Sequence, residues 1–180
     1  MLRNTKSPAL WVFIAVLLSA CAAPPPPYDI LSPENALVYG YVESEDPIDL
    51  VEFHKFGEVY IPPFKTPPRV LIFRNGNFMA ENIKPGKYYL AAFYSNLKKF
   101  SMVSNKQAAY QIIVDVKPGS LTYIGSHRIY KKHNQKNEDN PDIKQILNPG
   151  ERQILRDIYQ VTAGTGWQAK VARRLQDLHQ

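Results

Sequence analysis

Three patterns of hydrophobic and polar residues divide the chain. Residues 9–18 form an unbroken apolar run, ALWVFIAVLL. Between residues 37 and 130, short runs of β-branched and aromatic residues are separated by glycine and proline, which is typical of antiparallel sheet. From residue 154 onward, apolar residues recur at helical spacing. The chain therefore predicts an apolar leader, a β-rich body and a helical tail.

The β-rich body divides into seven predicted strands. They cover Leu37–Ser44, Leu50–Phe56, Val70–Arg74, Phe78–Ile83, Lys87–Ser95, Tyr110–Val116 and Leu121–Tyr130. Two connections, Asn75-Gly76 and the stretch 117–120 (KPGS), carry the residues that tight turns require. Both turns predict that the strands on either side pair as antiparallel neighbours. The strand over 87–95 is apolar on both faces, which indicates a central or covered strand.

Two amphipathic helices are predicted in the tail. Their apolar stripes consist of Ile154, Leu155, Ile158 and Val161, and of Trp167, Val171, Leu175 and Leu178. Start and stop signals are Asn148-Pro149-Gly150-Glu151, Gly164 and the capping-box pattern Thr165-x-x-Gln168. The polar faces are only modestly basic, so we expect the hairpin of residues 149–180 to pack on the protein's own sheet. Docking on a partner or on a membrane is the alternative, and an exposed Trp167 would favour it.

The apolar leader has the order of residues found in secretory signal peptides. Arg3 and Lys6 precede the run, and the small residues Ser19 and Ala20 follow it. As a helix, the run would extend about 15 Å, which is too short for a hydrocarbon core of about 30 Å. We therefore predict that residues 1–20 are a signal peptide that is removed.

The tetrapeptide Leu18-Ser19-Ala20-Cys21 resembles the lipobox of bacterial lipoproteins. The resemblance implies cleavage between Ala20 and Cys21, a diacylglyceryl group on the Cys21 sulfur, and acylation of the new amino terminus with a fatty acid such as palmitate. Two or more acyl chains make a stable membrane anchor. Cys21 is the single cysteine, so no intramolecular disulfide can form. The alternative is an ordinary secreted protein in which a cysteine follows the cleavage site by chance.

The residues after Cys21 bear on location. In proteobacterial lipoproteins an aspartate at the next position commonly causes retention in the inner membrane, but Ala22 and Ala23 stand here. The resemblance therefore favours the outer membrane over the inner membrane, with the domain facing the periplasm. Pro24–Pro27 predict a polyproline II spacer. We assign residues 21–33 to the lipidated cysteine and its proline-rich tether.

A second resemblance concerns the body. The stretch Arg69–Ser95 contains NGNF (75–78) and PGKYYL (85–90), and it resembles transthyretin-like or carboxypeptidase-regulatory-like β-sandwich modules. The stretch Gln111–Gly125 looks like the last hairpin of envelope lipoproteins of this sort. The resemblance implies a seven-stranded antiparallel β-sandwich, of transthyretin or immunoglobulin type, over residues 34–131. A polar linker over 132–148 and the helical hairpin would follow. Such turn motifs predict a shape and no activity.

The sequence offers little catalytic or metal-binding chemistry. Its histidines, His54, His127, His133 and His179, are scattered and lack the spacing of a zinc motif. A zinc site from His127, His133 and a loop acid is open, but solvated histidines are the simpler interpretation. Ser126 and His127 are adjacent on a predicted strand and so point to opposite faces. Glu43, Glu45 and Asp46 indicate a polar turn. We predict no enzyme, no cofactor and no metal.

Charge and aromatic content suggest the class of partner. The net charge is +6 for the whole chain and +4 without the two basic residues of the signal, with acids and bases interleaved. This pattern does not indicate nucleic-acid binding. Eleven tyrosines and eight phenylalanines suit a sandwich core, a protein interface or sugar stacking. The leading hypothesis is a non-catalytic envelope lipoprotein that binds another envelope protein or has a structural role. The alternative is binding of peptidoglycan or lipopolysaccharide.

Overall fold

The computed structural model describes residues 27–61, 64–73, 75–96, 98–102, 112–133 and 139–179. The predicted signal peptide, Cys21, the start of the proline-rich tether and Tyr110 lie outside these residues. The described chain forms nine strands followed by two helices, which confirms a mainly β fold with two C-terminal helices. Neither of these helices has the length and apolar character needed to cross a membrane.

The elements follow one another along the chain. They are β1 (Ala36–Ser44), β2 (Leu50–Lys55), β3 (Arg69–Leu71), β4 (Asn77–Ile83), β5 (Gly86–Ser95), β6 (Lys98–Ser101), β7 (Ile113–Val116), β8 (Leu121–His133), β9 (Asp139–Ile146), α1 (Glu151–Val161) and α2 (Gly166–Asp177).

The predicted count of seven strands is wrong, because the described residues contain nine. The additional strands, β6 and β9, have mostly polar sequences, KKFS and DNPDIKQI. Each pairs with a longer neighbour, β6 with β5 and β9 with β8. Backbone hydrogen bonds hold them there, so no hydrophobic period marks them in the sequence. β9 lies inside the stretch 132–148, for which the sequence predicts a polar linker.

The strands form two sheets. The four-stranded sheet has the order β4-β1-β8-β9, and in the five-stranded sheet the path β3-β2-β5-β6 is joined by β7, which also pairs with β5. All pairs are antiparallel except β1 and β8, which run parallel. The prediction of a purely antiparallel sandwich is therefore wrong at this pair. A parallel pair needs a long crossover connection, and no local pattern in either strand reports it.

The two predicted turns form, but the pairing inferred from them is wrong. Gly76 adopts φ 85° and its N–H donates to the carbonyl of Phe73 at 2.8 Å. The N–H of Phe73 donates to the carbonyl of Asn77 at 2.7 Å and Ile72 forms an isolated bridge with Phe78. Among the described residues the pairing goes no further, since β3 belongs to the five-stranded sheet and β4 to the four-stranded sheet. The turn over 117–120 likewise carries the chain from β7 to β8, in the other sheet. Turn residues fix a reversal of the chain but not the sheet that the next strand joins.

The main core lies between the sheets. Val38, Phe78 and Ile129 from the four-stranded sheet and Phe53 and Phe93 from the five-stranded sheet are all buried there. The register of β2 against β5 shifts by one residue between Glu52 and Phe53. This bulge changes which face the following residues occupy, so both Leu90 and Phe93 enter the core. It accounts for the apolar residues on both faces of β5.

A second core lies between the four-stranded sheet and the helices. Leu37 and Tyr39 of β1 pack with the helix residues Ile154, Ile158 and Trp167, and Trp167 is 0% exposed. The hairpin therefore covers the protein's own sheet. α1 begins at Glu151 with Gly150 as its N-cap, two residues after the predicted Asn148.

The first described residues are fixed to the sandwich. The Asp29 carboxylate accepts hydrogen bonds from the backbone N–H of Ile30 and of Gly166, each at 2.7 Å, so it caps α2. The Asn82 side chain accepts from the N–H of Leu31 at 2.9 Å and donates to the carbonyl of Asp29 at 3.0 Å. The folded unit thus includes residues 29–31, inside the stretch 21–33 for which the sequence predicts a tether.

Candidate functional site

Glu52 is buried on the outer face of the five-stranded sheet. It lies in β2 between Val51 and Phe53, whose side chains enter the main core. Because side chains alternate along a strand, Glu52 points away from that core. Its side chain is nevertheless only 1% exposed. A buried carboxylate needs polar partners, and the neighbouring strands supply them.

Four side chains bind the two oxygens of Glu52. Oε1 accepts from Lys99 Nζ at 2.9 Å and lies 2.9 Å from His54 Nε2. Oε2 accepts from Tyr94 Oη at 2.8 Å and from Arg69 Nε at 3.1 Å. These five residues, which we call the Glu52 network, come from β2, β3, β5 and β6. The site therefore exists only when these four strands are in register.

Electrostatics keep the network charged. Burial on its own raises the pKa of the Glu52 carboxyl, but hydrogen bonds from Lys99, His54 and Tyr94 outweigh it and lower the pKa to about 2. Burial likewise opposes the charged form of Lys99, yet the hydrogen bond to Glu52 raises the pKa of its ammonium. Glu52 is consequently ionised at neutral pH and cannot act as a general acid there.

The Tyr94 ring contacts both cations of the network. The Arg69 guanidinium carbon lies 5.4 Å, and Lys99 Nζ 5.6 Å, from the centre of its ring, within the range of cation–π contacts. The side chains of Arg69 and Lys99 are 46% and 47% exposed. The network thus presents two ordered cations around one carboxylate, and it suits contact with an acidic group.

A polar cleft lies beside α1 on the other sheet. Its volume is about 370 Å³, and its lining consists of Tyr41, Asn75, Asn77, Asn148, Pro149, Gln153 and Asp157. Asp157 Oδ2 accepts from Asn75 Nδ2 at 2.9 Å and from Asn77 Nδ2 at 2.6 Å. Among the described residues, the lining offers amides, one carboxylate and one tyrosine, without a cation. Such a set suits a neutral hydroxylated ligand better than an anionic one.

The structure separates the residues that the sequence put forward. His54 joins the Glu52 network, whereas buried His127 lies 2.7 Å from the carbonyl of Ile124 through Nε2. Burial lowers the pKa of His127, so its ring is neutral at physiological pH. His179 contacts Arg152 at 2.7 Å, and the side chain of His133 lies outside the described residues. Among the described side chains, no three histidines or acids meet to form a metal site.

The remaining candidates have structural partners. The Ser126 hydroxyl donates to the carbonyl of Pro149 and lies 3.2 Å from Tyr123 Oη. Glu43 accepts from Tyr41 at 3.1 Å and forms an ion pair with Arg128. Neither arrangement supports nucleophilic or acid–base catalysis.

Sequence reasoning missed most of the Glu52 network and the polar cleft. The one available signal was a glutamate between two apolar residues in the run Leu50-Val51-Glu52-Phe53. The position of Glu52 indicates which face of β2 is polar. It does not predict which residues of other strands contact that glutamate.

The comparisons with known proteins leave the chain without an assigned relative. No protein-family model, curated protein or solved structure matches it.

Proposed function

We propose that this protein is a membrane-anchored, non-catalytic envelope lipoprotein whose folded domain binds another envelope protein. The observation that carries the proposal is the Glu52 network on the outer face of the five-stranded sheet. Both helices pack on the other sheet, and Arg69 and Lys99 are half exposed. Arginine and tyrosine contribute disproportionately to binding energy at protein interfaces.

The network favours a partner with an acidic segment. Glu52 neutralises one of the two cations, so Arg69 and Lys99 together leave an excess positive charge. Their positions are set by Glu52 and Tyr94, so little side-chain entropy is lost when a partner binds. Guanidinium groups bind carboxylates in a bidentate manner, so Arg69 suits an acidic partner.

The proposed address rests on the sequence. Cys21, at the end of a complete signal, would carry the lipid anchor, and Ala22 favours the outer membrane with the domain in the periplasm. Replacing Cys21 with serine is expected to abolish metabolic labelling with radioactive palmitate. Labelling that persists in the Cys21→Ser variant would refute the anchor.

In-cell photocrosslinking tests the interaction surface. A photoreactive amino acid is placed at Arg69 in one strain, at Lys99 in a second and at Lys144 in a third. Lys144 is the matched control, because its Nζ lies 5.5 Å from the Tyr130 ring on the other sheet and so copies the contact of Lys99 with Tyr94. We expect a discrete protein adduct from the first two strains alone. Equal capture from all three, or none from Arg69 and Lys99, would contradict the proposal.

A second candidate function, glycan binding, is favoured by the polar cleft. The uncharged amides around Asp157 are better suited to bind the sugar backbone of peptidoglycan than the phosphate groups of lipopolysaccharide. The test is retention on purified peptidoglycan of the unaltered protein, of Asn77→Ala, and of Gln176→Ala as an exposed control on α2. Loss of retention in Asn77→Ala alone would support this function, and equal retention of all three would exclude the cleft.

A further inference from the structure

Exposed apolar side chains are concentrated at one end of the sandwich. Among the described residues, eight large apolar side chains are exposed: Tyr28, Leu31, Phe56, Val59, Ile61, Phe64, Ile113 and Leu147. The first six belong either to the N-terminal segment or to the loop that follows β2. Phe64 is the extreme case, at 91% exposure. Scattered apolar residues are ordinary on a protein surface, but a cluster marks a contact surface.

Strand register places both segments at the same end. Ala36 at the start of β1 pairs with Ile83 at the end of β4, and Lys55 at the end of β2 pairs with Tyr88 near the start of β5. Lys84 and Pro85 alone connect β4 to β5. The Lys55 ammonium donates to the carbonyl of Pro85 at 2.9 Å, which ties the end of β2 to this connection. We call this the N-terminal end of the sandwich.

The loop after β2 is held in place while its apolar side chains face outward. Tyr60 Oη accepts from the backbone N–H of Lys55 at 3.0 Å, and the Tyr60 ring lies 4.7 Å from that of His54. The N–H of Lys65 donates to the carbonyl of Ile61 at 2.9 Å. Val59, Ile61 and Phe64 are therefore exposed although hydrogen bonds and a ring contact hold neighbouring parts of the loop in place.

Lysines surround this apolar surface. Lys65 pairs with Glu58 at 3.2 Å, Lys87 lies 5.6 Å from the ring of Phe56, and Lys84 is exposed in the connection between β4 and β5. Lys55, 4.0 Å from Glu58, adds a fourth lysine, and Asp115 opposite Lys87 in β7 adds a second acid. Four lysines against two acids suit a surface with negative charge. Near an anionic membrane, each lysine contributes about 1 kcal/mol of attraction.

The chain between Cys21 and the folded unit is short. Tyr28 follows Cys21 by seven residues, which span at most about 25 Å when fully extended. The contacts of Asp29 with Gly166 and of Asn82 with Leu31 hold the first described residues next to the N-terminal end. An anchor at Cys21 therefore keeps this end close to the bilayer.

We propose that the N-terminal end is a membrane-contacting surface, with Val59, Ile61 and Phe64 in the bilayer interface and Lys65, Lys84 and Lys87 at the lipid phosphates. This inference rests on the anchor proposed above. Tethering supplies the high local concentration that a small apolar surface needs, so the loop need not bind lipid strongly by itself. The contact orients the domain and leaves the polar cleft turned away from the membrane.

The test measures the depth of the loop in vesicles. The lipidated full-length product is reconstituted into vesicles of phosphatidylethanolamine and phosphatidylglycerol that contain a lipid brominated in its acyl chains. The mature chain has one tryptophan, Trp167, which is buried and therefore shielded from the quencher. A Phe64→Trp variant adds a reporter in the loop. A Leu147→Trp variant adds a second kind of reporter beside the polar cleft. The Leu147 side chain is 87% exposed and lies about 17 Å from the N-terminal end, measured along β8.

We expect the bromolipid to remove most of the fluorescence added by Phe64→Trp and to leave that of Leu147→Trp unchanged. A matching blue shift should appear for the loop reporter alone. Equal quenching of both reporters, or of neither, in protein that floats with the vesicles would overturn the membrane contact while the anchor stands. Failure of the protein to float or to incorporate palmitate would instead refute the anchor. Both variants should unfold at the urea concentration of the unaltered protein, because both sites are exposed.

Discussion

The Glu52 network allows a quantitative test of the fold and of the candidate interface together. The perturbation is Glu52→Gln, which preserves shape but removes the charge. The carboxyl has a pKa of about 2 in the folded chain against 4.5 for an exposed glutamate. At about 1.4 kcal/mol for each tenfold change in proton affinity, this difference corresponds to about 3 kcal/mol. Since Arg69 and Lys99 are half exposed, solvent screening reduces the expected effect to about 2 kcal/mol.

The sign of the pH dependence follows from the lowered pKa. A carboxyl whose pKa falls on folding stabilises the folded state fully above its unfolded pKa, 4.5, and loses this contribution as the pH falls toward 2. We therefore expect Glu52→Gln to lower the free energy of unfolding at about pH 7 by about 2 kcal/mol. The gap between variant and unaltered protein should shrink by more than half by about pH 3.

Urea unfolding followed by the fluorescence of buried Trp167 measures this gap. Glu58→Gln is the control, because Glu58 makes an exposed ion pair with Lys65 at 3.2 Å and surface pairs contribute little. A gap for Glu52→Gln that is the same at both pH values, or an equal gap for the control, would refute the reasoning.

Three further changes test other parts of the fold by urea unfolding, followed by far-UV circular dichroism because one of them removes Trp167. Gly76→Ala should lower the free energy of unfolding by about 2 kcal/mol or more, because Gly76 has φ +85° and the new Cβ would lie 2.6 Å from the Tyr41 ring. Gly57→Ala is its control: Gly57 has φ +77° but nothing within 4 Å of the new Cβ, so the loss should be only about 1 kcal/mol. Burial disfavours the ionised form of Glu81 and raises its pKa to about 7, so the folded state loses stability as the pH rises from 4.5 through 7. Glu81→Gln should therefore be more stable than the unaltered protein by about 1–2 kcal/mol at about pH 8. Equal stability at that pH would count against this account. Trp167→Ala should cost about 3–5 kcal/mol by opening the core between helices and sheet, and a loss below about 1 kcal/mol would contradict that packing.

The sequence by itself determined seven of the nine described strands, both helices and the proposed lipid anchor. Short β-branched and aromatic runs bounded by glycine and proline marked strands such as β1, β4 and β5. The 3.6-residue period marked both helices because each buries one stripe. Gly76 and Gly119 marked the turns because both adopt positive φ. The interpretation of Cys21 as a lipid anchor rests on sequence alone and stays a prediction.

Only the tertiary structure decided which strands became neighbours. The parallel pairing of β1 with β8, the crossing of both predicted turns between sheets, and the polar strand β9 all depend on contacts between distant residues. The Glu52 network likewise depends on distant residues, since it joins Glu52 to Arg69, Tyr94 and Lys99 across four strands of the five-stranded sheet. Local propensity is a property of a few consecutive residues, whereas register is set by the packing of the whole sheet. The candidate interface could therefore not be predicted from the sequence, because it depends on how the four strands are paired.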